Sequence, residues 1–171
     1  IAIGYALGTT PLQMAAVYST IANDGVWVEP YLVAEIIRAD GTRIVTKPRQ
    51  RPVLSPDTAE TMRTMLGRVV ETDEGTGRRA QMTDYTAGGK TGTSQKFDVE
   101  AQQYSGDTFA SFIGMAPLDD PKIVVVVVLD TPTGSLEDGT DLALGGASAA
   151  PVFAEVTQNA LHQLGVAPDR E

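Results

Sequence analysis

The chain has 171 residues, a length that suits one domain with a sizeable buried core. Its 22 acidic and 13 basic side chains leave a net charge of -9, which argues against nonspecific binding to nucleic acid through a basic surface. The absence of cysteine and the single histidine exclude a disulfide framework, a thiolate nucleophile and a metal site rich in Cys or His, and we expect no metal and no cofactor.

The first 50 residues predict a helix and an exposed β-hairpin. Thr10-Pro11-Leu12-Gln13 has the pattern of a capping box with proline at the first helical position, so a helix is predicted over about 11–23. Two short runs rich in Ile and Val, 32–37 and 42–45, flank Asp40-Gly41, a pair that is typical of a two-stranded hairpin turn. We expect this hairpin to lie at the surface.

The middle of the chain predicts a second helix and a strand with many glycines. Ser55-Pro56-Asp57 repeats the pattern of an N-cap followed by proline, and helical apolar spacing continues to about Glu71. Residues 85–94 have short side chains, and they form a strand only if another group packs closely against the glycines. We expect that group to be a ligand. The polar segment 94–107 is predicted to be a loop.

The last third of the chain predicts two antiparallel strands and a third helix. The strands cover 108–115 and 122–130 and are joined by a turn with two prolines. The five valines of 124–128 do not alternate with polar residues, so we expect a central strand with both faces covered. The apolar run around them is too short to cross a bilayer. A helix over 149–164 is one predicted cover, since Gly165 ends it. We expect its buried side to carry Phe153, Val156, Ala160 and Leu164.

A few single residues also carry expectations about burial. Trp27 stands between two valines and is expected in the core, whereas His162 lies on the helix face opposite Phe153 and is expected to be solvated. Three methionines are expected to fill the core: Met14, Met62 and Met65.

The glycine-rich segment 88–94 holds the residues best suited to chemistry. Gly89-Lys90-Thr91 matches the end of a phosphate-binding loop, but that motif requires a glycine where this chain has Asp84. It also requires a helix directly after the loop, and the sequence predicts none. A plain glycine-rich turn with a surface lysine is the ordinary alternative.

As an extended strand, the same segment suits the binding of a carboxylate. Thr91 and Thr93 then point to one side of the strand, and Lys90 and Gly92 point to the other. The two hydroxyl groups line up, Gly92 permits close approach of the backbone, and the ammonium group of Lys90 adds positive potential. An anionic peptide could lie antiparallel along such a strand through main-chain hydrogen bonds.

The sequence Lys90-Thr91-Gly92-Thr93 resembles the third motif of the penicillin-binding proteins and serine β-lactamases. Further segments are similar to the class B, monofunctional transpeptidases, and most of all to the cell-division type. These segments are 8–15 with 21–25, 75–77, 87–96, 111–117 and 150–153. They stand in family order, and the resemblance covers nearly the whole chain.

The resemblance implies a peptidoglycan D,D-transpeptidase with an α+β fold, in which helices flank both faces of an antiparallel sheet. In this family a serine attacks the D-alanyl-D-alanine bond of a stem peptide and releases the last D-alanine, and the acyl group then passes to an amine of a neighbouring stem. β-Lactams acylate the same serine. Carried onto this chain, Thr91, Gly92 and Thr93 bind the substrate along the strand, with the two hydroxyls on its carboxylate. Lys90 lies beside the serine of a Ser-x-Asn motif, and the Thr93 amide donates to the oxyanion.

The chain departs from the family pattern because it has no recognisable nucleophile. No serine is followed by lysine at the third place, and Ser-x-Asn does not occur. Together with the start at Ile1, this implies that residues 1–171 are the C-terminal portion of one transpeptidase domain. The nucleophile, its lysine base and a segment that anchors the protein at the extracytoplasmic face of the membrane are then expected upstream. The valine-rich strand would lack a neighbour in such a fragment, and we expect the fragment alone to acylate no penicillin.

The expected partners follow from the same resemblance. They are stem peptides ending in D-Ala-D-Ala, β-lactam antibiotics, the N-terminal part of the same protein, and membrane proteins of cell division or elongation, with no nucleic acid. Two alternatives stay open at this point. One is a non-catalytic penicillin-recognising sensor or binding module, and the other is a D,D-carboxypeptidase or β-lactamase of the same superfamily.

Overall fold

The computed structural model describes residues 7–170 as an α+β fold, so the predicted fold class is confirmed. The helices are α1 (Pro11–Ala22), α2 (Pro56–Glu71) and α3 (Gly145–Gln163), with one short 3-10 turn at Arg78–Ala80. The strands are β1 (Val26–Val28), β2 (Glu35–Ile37), β3 (Arg43–Val45), β4 (Gln50–Pro52), β5 (Gly88–Asp98), β6 (Gln103–Ala116) and β7 (Ile123–Asp130). None of the helices between residues 7 and 170 is both long and apolar enough to span a membrane.

The two predicted helix starts are formed by side-chain caps. The Thr10 hydroxyl accepts a hydrogen bond from the Gln13 amide at 3.2 Å, and the Gln13 side chain accepts one from the Thr10 amide at 2.9 Å. The Ser55 hydroxyl accepts from the Thr58 amide at 3.2 Å. Each cap satisfies amide groups that the first turn of a helix leaves without an internal partner.

The predicted surface hairpin is confirmed, because β2 and β3 pair antiparallel and every residue in them is exposed. The sequence did not predict the second small sheet, in which β1 pairs with β4. The prediction of Trp27 as a core residue is wrong. Its ring is only half-buried, because it lies on this small sheet and is covered by the Arg51 guanidinium group, 5.2 Å from the ring centre.

The main sheet is a three-stranded antiparallel meander in the order β5-β6-β7. The prediction of a polar loop over 94–107 is wrong, because β5 runs on to Asp98 and β6 starts at Gln103. The two strands form a long hairpin whose outer part extends beyond the helices. Its side chains are mostly exposed there, so the strands need no apolar alternation in their sequence.

The valine-rich strand β7 was predicted to be central, but it forms the edge of this sheet in the part of the chain that the structure describes. Its valines are mostly half-buried. The expected cover on both faces is present, since α1 packs against one face of β7 and α3 against the other.

The largest buried cluster lies between the sheet, α2 and α3. Its bulkiest members are Tyr85, Phe112, Phe153, Leu161 and Val70. The rings of Phe112 and Phe153 are 4.8 Å apart, and the Tyr85 hydroxyl donates to the Val166 carbonyl at 2.7 Å. Helix α3 is therefore attached to the middle strand of the sheet through aromatic contact.

The predicted buried face of the third helix is wrong at two positions. Val156 is 48% exposed and Leu164 is 63% exposed, whereas Thr157 and Leu161 are fully buried. The helix also starts four residues earlier than predicted, at Gly145. Small residues occupy its first two turns, and five of them are buried although they give only a weak apolar pattern in the sequence.

His162 is exposed, as expected, and its Nε2 lies 2.7 Å from an Asp84 carboxylate oxygen. Its ring is 5.4 Å from that of Tyr85. The expectation of core burial is wrong for one of the three methionines. Met65 is 57% exposed, while Met14 and Met62 are half-buried.

Leu161 and Leu164 form a matched pair that tests the observed rotation of α3. We expect Leu161→Ala to lower the free energy of unfolding by about 2–5 kcal/mol, because it opens a cavity in the core. Leu164→Ala should change it by no more than about 0.5 kcal/mol. Urea unfolding followed by circular dichroism measures both, and an equal effect of the two substitutions would contradict the observed helix face.

Candidate substrate-binding site

The tetrapeptide Lys90–Thr93 is extended and lies in β5. It pairs antiparallel with residues 110–113 of β6. Within residues 7–170, no strand pairs with the opposite edge of β5, so this segment forms a free edge of the sheet. A phosphate-binding loop would place these residues in a turn followed by a helix, and the observed strand excludes that arrangement.

The backbone groups of Thr91 and Thr93 face this free edge. A Cβ added to Gly145 would overlap the carbonyl oxygens of both Gly92 and Ser111, so these two oxygens lie close together between β5 and β6. Gly92 and Ser111 are therefore a hydrogen-bonded pair of the ladder. Such pairs alternate along antiparallel strands, so the amides and carbonyls of the threonines on either side of Gly92 point outward.

The side chains of this segment divide between the two faces of the sheet as predicted. A Cβ on Gly92 would meet the Ser111 hydroxyl on the face that α1 covers, whereas Thr91 and Thr93 lie on the face that carries α3. The flexible Lys90 side chain is exposed and bends around the free edge. Its ammonium group donates to the Thr91 carbonyl and to the Thr91 hydroxyl, both at 3.1 Å.

Both threonine hydroxyls are held by neighbours outside the strand. The Thr91 hydroxyl lies 3.2 Å from that of Thr76, and the Thr93 hydroxyl accepts a hydrogen bond from the Gly145 amide at 3.2 Å. Because Thr93 accepts there, its own hydroxyl hydrogen remains able to donate. The arrangement presents hydroxyl groups of fixed position beside an ammonium group.

The first turn of α3 packs directly on this strand because its first two residues are glycines. A Cβ on Gly145 would overlap the carbonyl oxygens of Gly92 and Ser111, and a Cβ on Gly146 would overlap the Thr76 carbonyl. The positive end of the dipole of this 19-residue helix therefore faces the threonine hydroxyls. An anion beside those hydroxyls is stabilised by that field.

The start of β5 is fixed by a polar clamp that joins α2 to the end of the chain. The Glu71 carboxylate accepts from the Ala87 amide at 2.9 Å and from the Arg170 guanidinium group at 2.5 Å. Arg170 also donates to the Tyr85 carbonyl at 2.9 Å. The clamp holds the residues that lead into Lys90.

A second clamp joins the segment before α3 to the segment that carries Thr76. The Asp138 carboxylate accepts from the Thr140 amide at 2.9 Å and from the Arg79 guanidinium group at 2.8 Å. The hydrogen bonds from Thr140, reinforced by the charge of Arg79, hold the pKa of Asp138 below its usual value. This partly exposed ion pair links the segment that carries Thr76 to the loop that leads into α3.

A groove of about 610 Å³ opens on the α1 side of the same strand. Its wall includes Gly92, Thr93 and Ser111, and its floor is apolar, with Ile113 and Val126. The groove borders the second half of the tetrapeptide, Gly92 and Thr93. No cluster of three or more His, Asp or Glu residues able to hold a metal occurs in the described range.

Comparison with known proteins identifies the family. Residues 1–158 match the family described as the penicillin binding protein transpeptidase domain. The chain is 41% identical over 179 aligned positions to penicillin-binding protein PbpB of Mycolicibacterium smegmatis, covering 98% of this chain and 26% of that protein. It is 36% identical to stage V sporulation protein D of Bacillus subtilis, covering 98% of this chain and 25% of that protein.

The chain belongs to the penicillin-binding protein transpeptidase family. The predicted resemblance to class B members of the cell-division type is confirmed by these relatives. The structure is similar to that of penicillin binding protein 3 from Mycobacterium tuberculosis in complex with ampicillin, with a TM-score of 0.87 and 35% identity over 100% of this chain and 38% of that one. The chain thus spans only about a quarter of the length of the two curated relatives.

In this transpeptidase domain the substrate-binding strand was predicted from the sequence, but the residues that contact it from other segments were not. Thr76, Gly145 and Gly146 contact the site, and none of them was predicted to do so. Thr76 lies in the segment 75–77, which is part of the family resemblance but for which no function was predicted. A pair of glycines at the start of a helix could have indicated close packing of that end on another backbone.

The packing of α3 on β5 predicts a strong effect of one methyl group. We expect Gly145→Ala to lower the free energy of unfolding by about 1–3 kcal/mol, because the added Cβ overlaps two backbone oxygens that cannot rotate away. Gly106→Ala is the matched control in β6, since a Cβ there meets nothing within 4 Å. Thermal unfolding of the two variants measures the difference, and equal stability would refute the close contact.

Proposed function

We propose that the protein containing this chain is a peptidoglycan D,D-transpeptidase that cross-links stem peptides through a serine acyl-enzyme. In this proposal the chain supplies the wall of the active site that holds the donor peptide. The observation that carries it is the free edge of β5, where two outward-facing amides, two hydroxyls and one ammonium group lie together. A relative from Pseudomonas aeruginosa is named a probable peptidoglycan D,D-transpeptidase, which supports the assignment.

The carboxylate of the terminal D-alanine would bind to the hydroxyls of Thr91 and Thr93. Both can donate to an anion, and the N-terminus of α3 adds a favourable field at the same place. The ammonium group of Lys90 contacts the Thr91 hydroxyl and would strengthen the binding of negative charge. A ligand whose end is neutral would gain none of this electrostatic stabilisation.

The donor peptide would lie antiparallel to β5 and use the backbone groups at its free edge. The Thr93 amide would then donate to the carbonyl oxygen of the scissile bond and remain hydrogen-bonded when that oxygen becomes negatively charged. Loss of one such donor typically raises the barrier by about 2.7–4 kcal/mol. The edge arrangement also suits a β-lactam, whose acyl group and carboxylate mimic the same two features.

The nucleophile would approach from the groove on the α1 side. The groove has an apolar floor, and no strand among residues 7–170 pairs with the outer edge of β7, so both are suited to cover by further chain of the same domain. In this proposal residues 1–171 are the C-terminal portion of the domain. Upstream residues supply the serine, its lysine base, the Ser-x-Asn motif and an anchor at the extracytoplasmic face of the membrane. Partner proteins would belong to the cell-division or elongation machinery.

The role of Lys90 is tested by Lys90→Ala in the full-length protein. We expect acylation by a labelled penicillin to slow roughly 10- to 150-fold, because a charge-assisted hydrogen bond worth about 1.5–3 kcal/mol is lost from the site. Lys122→Ala is the control, since that lysine pairs with Asp120 in a distant turn and should leave the rate unchanged. Stopped-flow or gel-based acylation rates measure both, and a Lys90→Ala rate within twofold of the parent would overturn the placement of this ammonium group.

A further inference from the structure

The outer part of the β5–β6 hairpin carries an aromatic pair that the core does not use. Phe97 and Tyr104 face each other across the hairpin with ring centres 5.3 Å apart and an edge-to-face angle of 77°. The two residues are 49% and 48% exposed, so about half of the surface of each residue remains open. Both residues lie beyond the section of sheet that α3 covers.

The pair lies on the same face of β5 as the threonine hydroxyls. The strand is continuous from Gly88 to Asp98, and the irregularity near its end is absorbed by β6, where 105–107 stand opposite a single residue. Alternation along β5 therefore continues, and it places Thr91, Thr93 and Phe97 on one face. The aromatic pair extends the wall that the threonines begin.

Lys96 points to the opposite face and does not cover the rings. Its ammonium group pairs with Asp130, donates to the Thr131 hydroxyl at 2.8 Å and lies 4.7 Å from the centre of the Phe109 ring. The hydrogen bond from Lys96 holds the pKa of Asp130 below its usual value. These contacts keep the Lys96 side chain on the face opposite Phe97.

The direction of the bound donor peptide decides what reaches this pair, and this step rests on the proposed function. A peptide that is antiparallel to β5, with its scissile carbonyl at Thr93, places its upstream residues beside positions of increasing number. Phe97 is four positions from Thr93, or about 13 Å at 3.3 Å per residue. A short peptide or a β-lactam does not extend that far upstream of the scissile bond, whereas a longer donor that continues toward its glycan can reach the pair.

We infer that Phe97 and Tyr104 form a subsite for the glycan-linked end of the donor stem peptide. Aromatic faces bind aliphatic side chains and the C–H surfaces of sugars, and two rings fixed edge to face do so with little loss of conformational freedom. The subsite distinguishes a stem peptide on its glycan from a short soluble peptide. It lies too far along β5 for a compact β-lactam to depend on it.

The inference is tested with Phe97→Ala and Tyr104→Ala in the full-length protein. Val99→Ala is the control, because Val99 is in the same hairpin and 72% exposed but outside the ring pair. Each variant is assayed with three compounds: a labelled penicillin, a short acyl-D-alanyl-D-alanine peptide, and a glycan-linked stem peptide. Phe97→Tyr and Tyr104→Phe, which keep the rings, should behave like the parent.

We expect kcat/KM for the glycan-linked substrate to fall roughly 2- to 10-fold in the two alanine variants, mainly through KM. The other two compounds should react within twofold of the parent rate. An equal loss with all three compounds would mean that the rings only shape β5, and no loss with any of them would mean that there is no subsite; either result overturns the inference. If the parent protein itself forms no acyl-enzyme with penicillin, the proposed function fails instead.

Discussion

The contact between the first turn of α3 and the backbone of β5 determines the rest of the site. Gly145 and Gly146 have no side chains, so the helix end approaches the strand until its first amide reaches the Thr93 hydroxyl. The same approach brings the positive end of the helix dipole to the two threonines. It also leaves the outer edge of β5 open, because the helix lies on a face of the sheet and not beside the strand. Larger side chains at positions 145 and 146 would push the helix end away from the strand and from the threonine hydroxyls.

The strand therefore offers three different surfaces to its surroundings. Its edge presents the amides and carbonyls of Thr91 and Thr93, its α3 face presents their hydroxyls, and its α1 face opens into the apolar groove. A peptide at the edge and a carboxylate at the hydroxyls therefore leave the apolar groove open. Hydrogen bonds to Glu71 connect the start of β5 to α2, and the ion pair of Asp138 with Arg79 connects the loop before α3 to the short 3-10 turn.

The features that the sequence predicts well are local. The capping box at Thr10 and the Asp40-Gly41 turn depend on neighbouring residues, and the alternation of residues 90–93 depends only on the extended backbone. The hairpin over 94–107 was missed because an exposed antiparallel pair needs no apolar pattern. The role of Gly145 was missed because it depends on contact with residues more than 30 positions away, which no periodicity reports.

The binding geometry on β5 is tested most directly by a crystal structure of the full-length protein acylated by a penicillin. We expect the carboxylate of the bound drug to lie within about 3.2 Å of the hydroxyls of Thr91 and Thr93. We also expect the acyl carbonyl oxygen to accept from the Thr93 amide and the chain of the drug to run along the free edge of β5. A bound drug whose carboxylate contacts neither hydroxyl, with that edge left empty, would contradict this binding geometry.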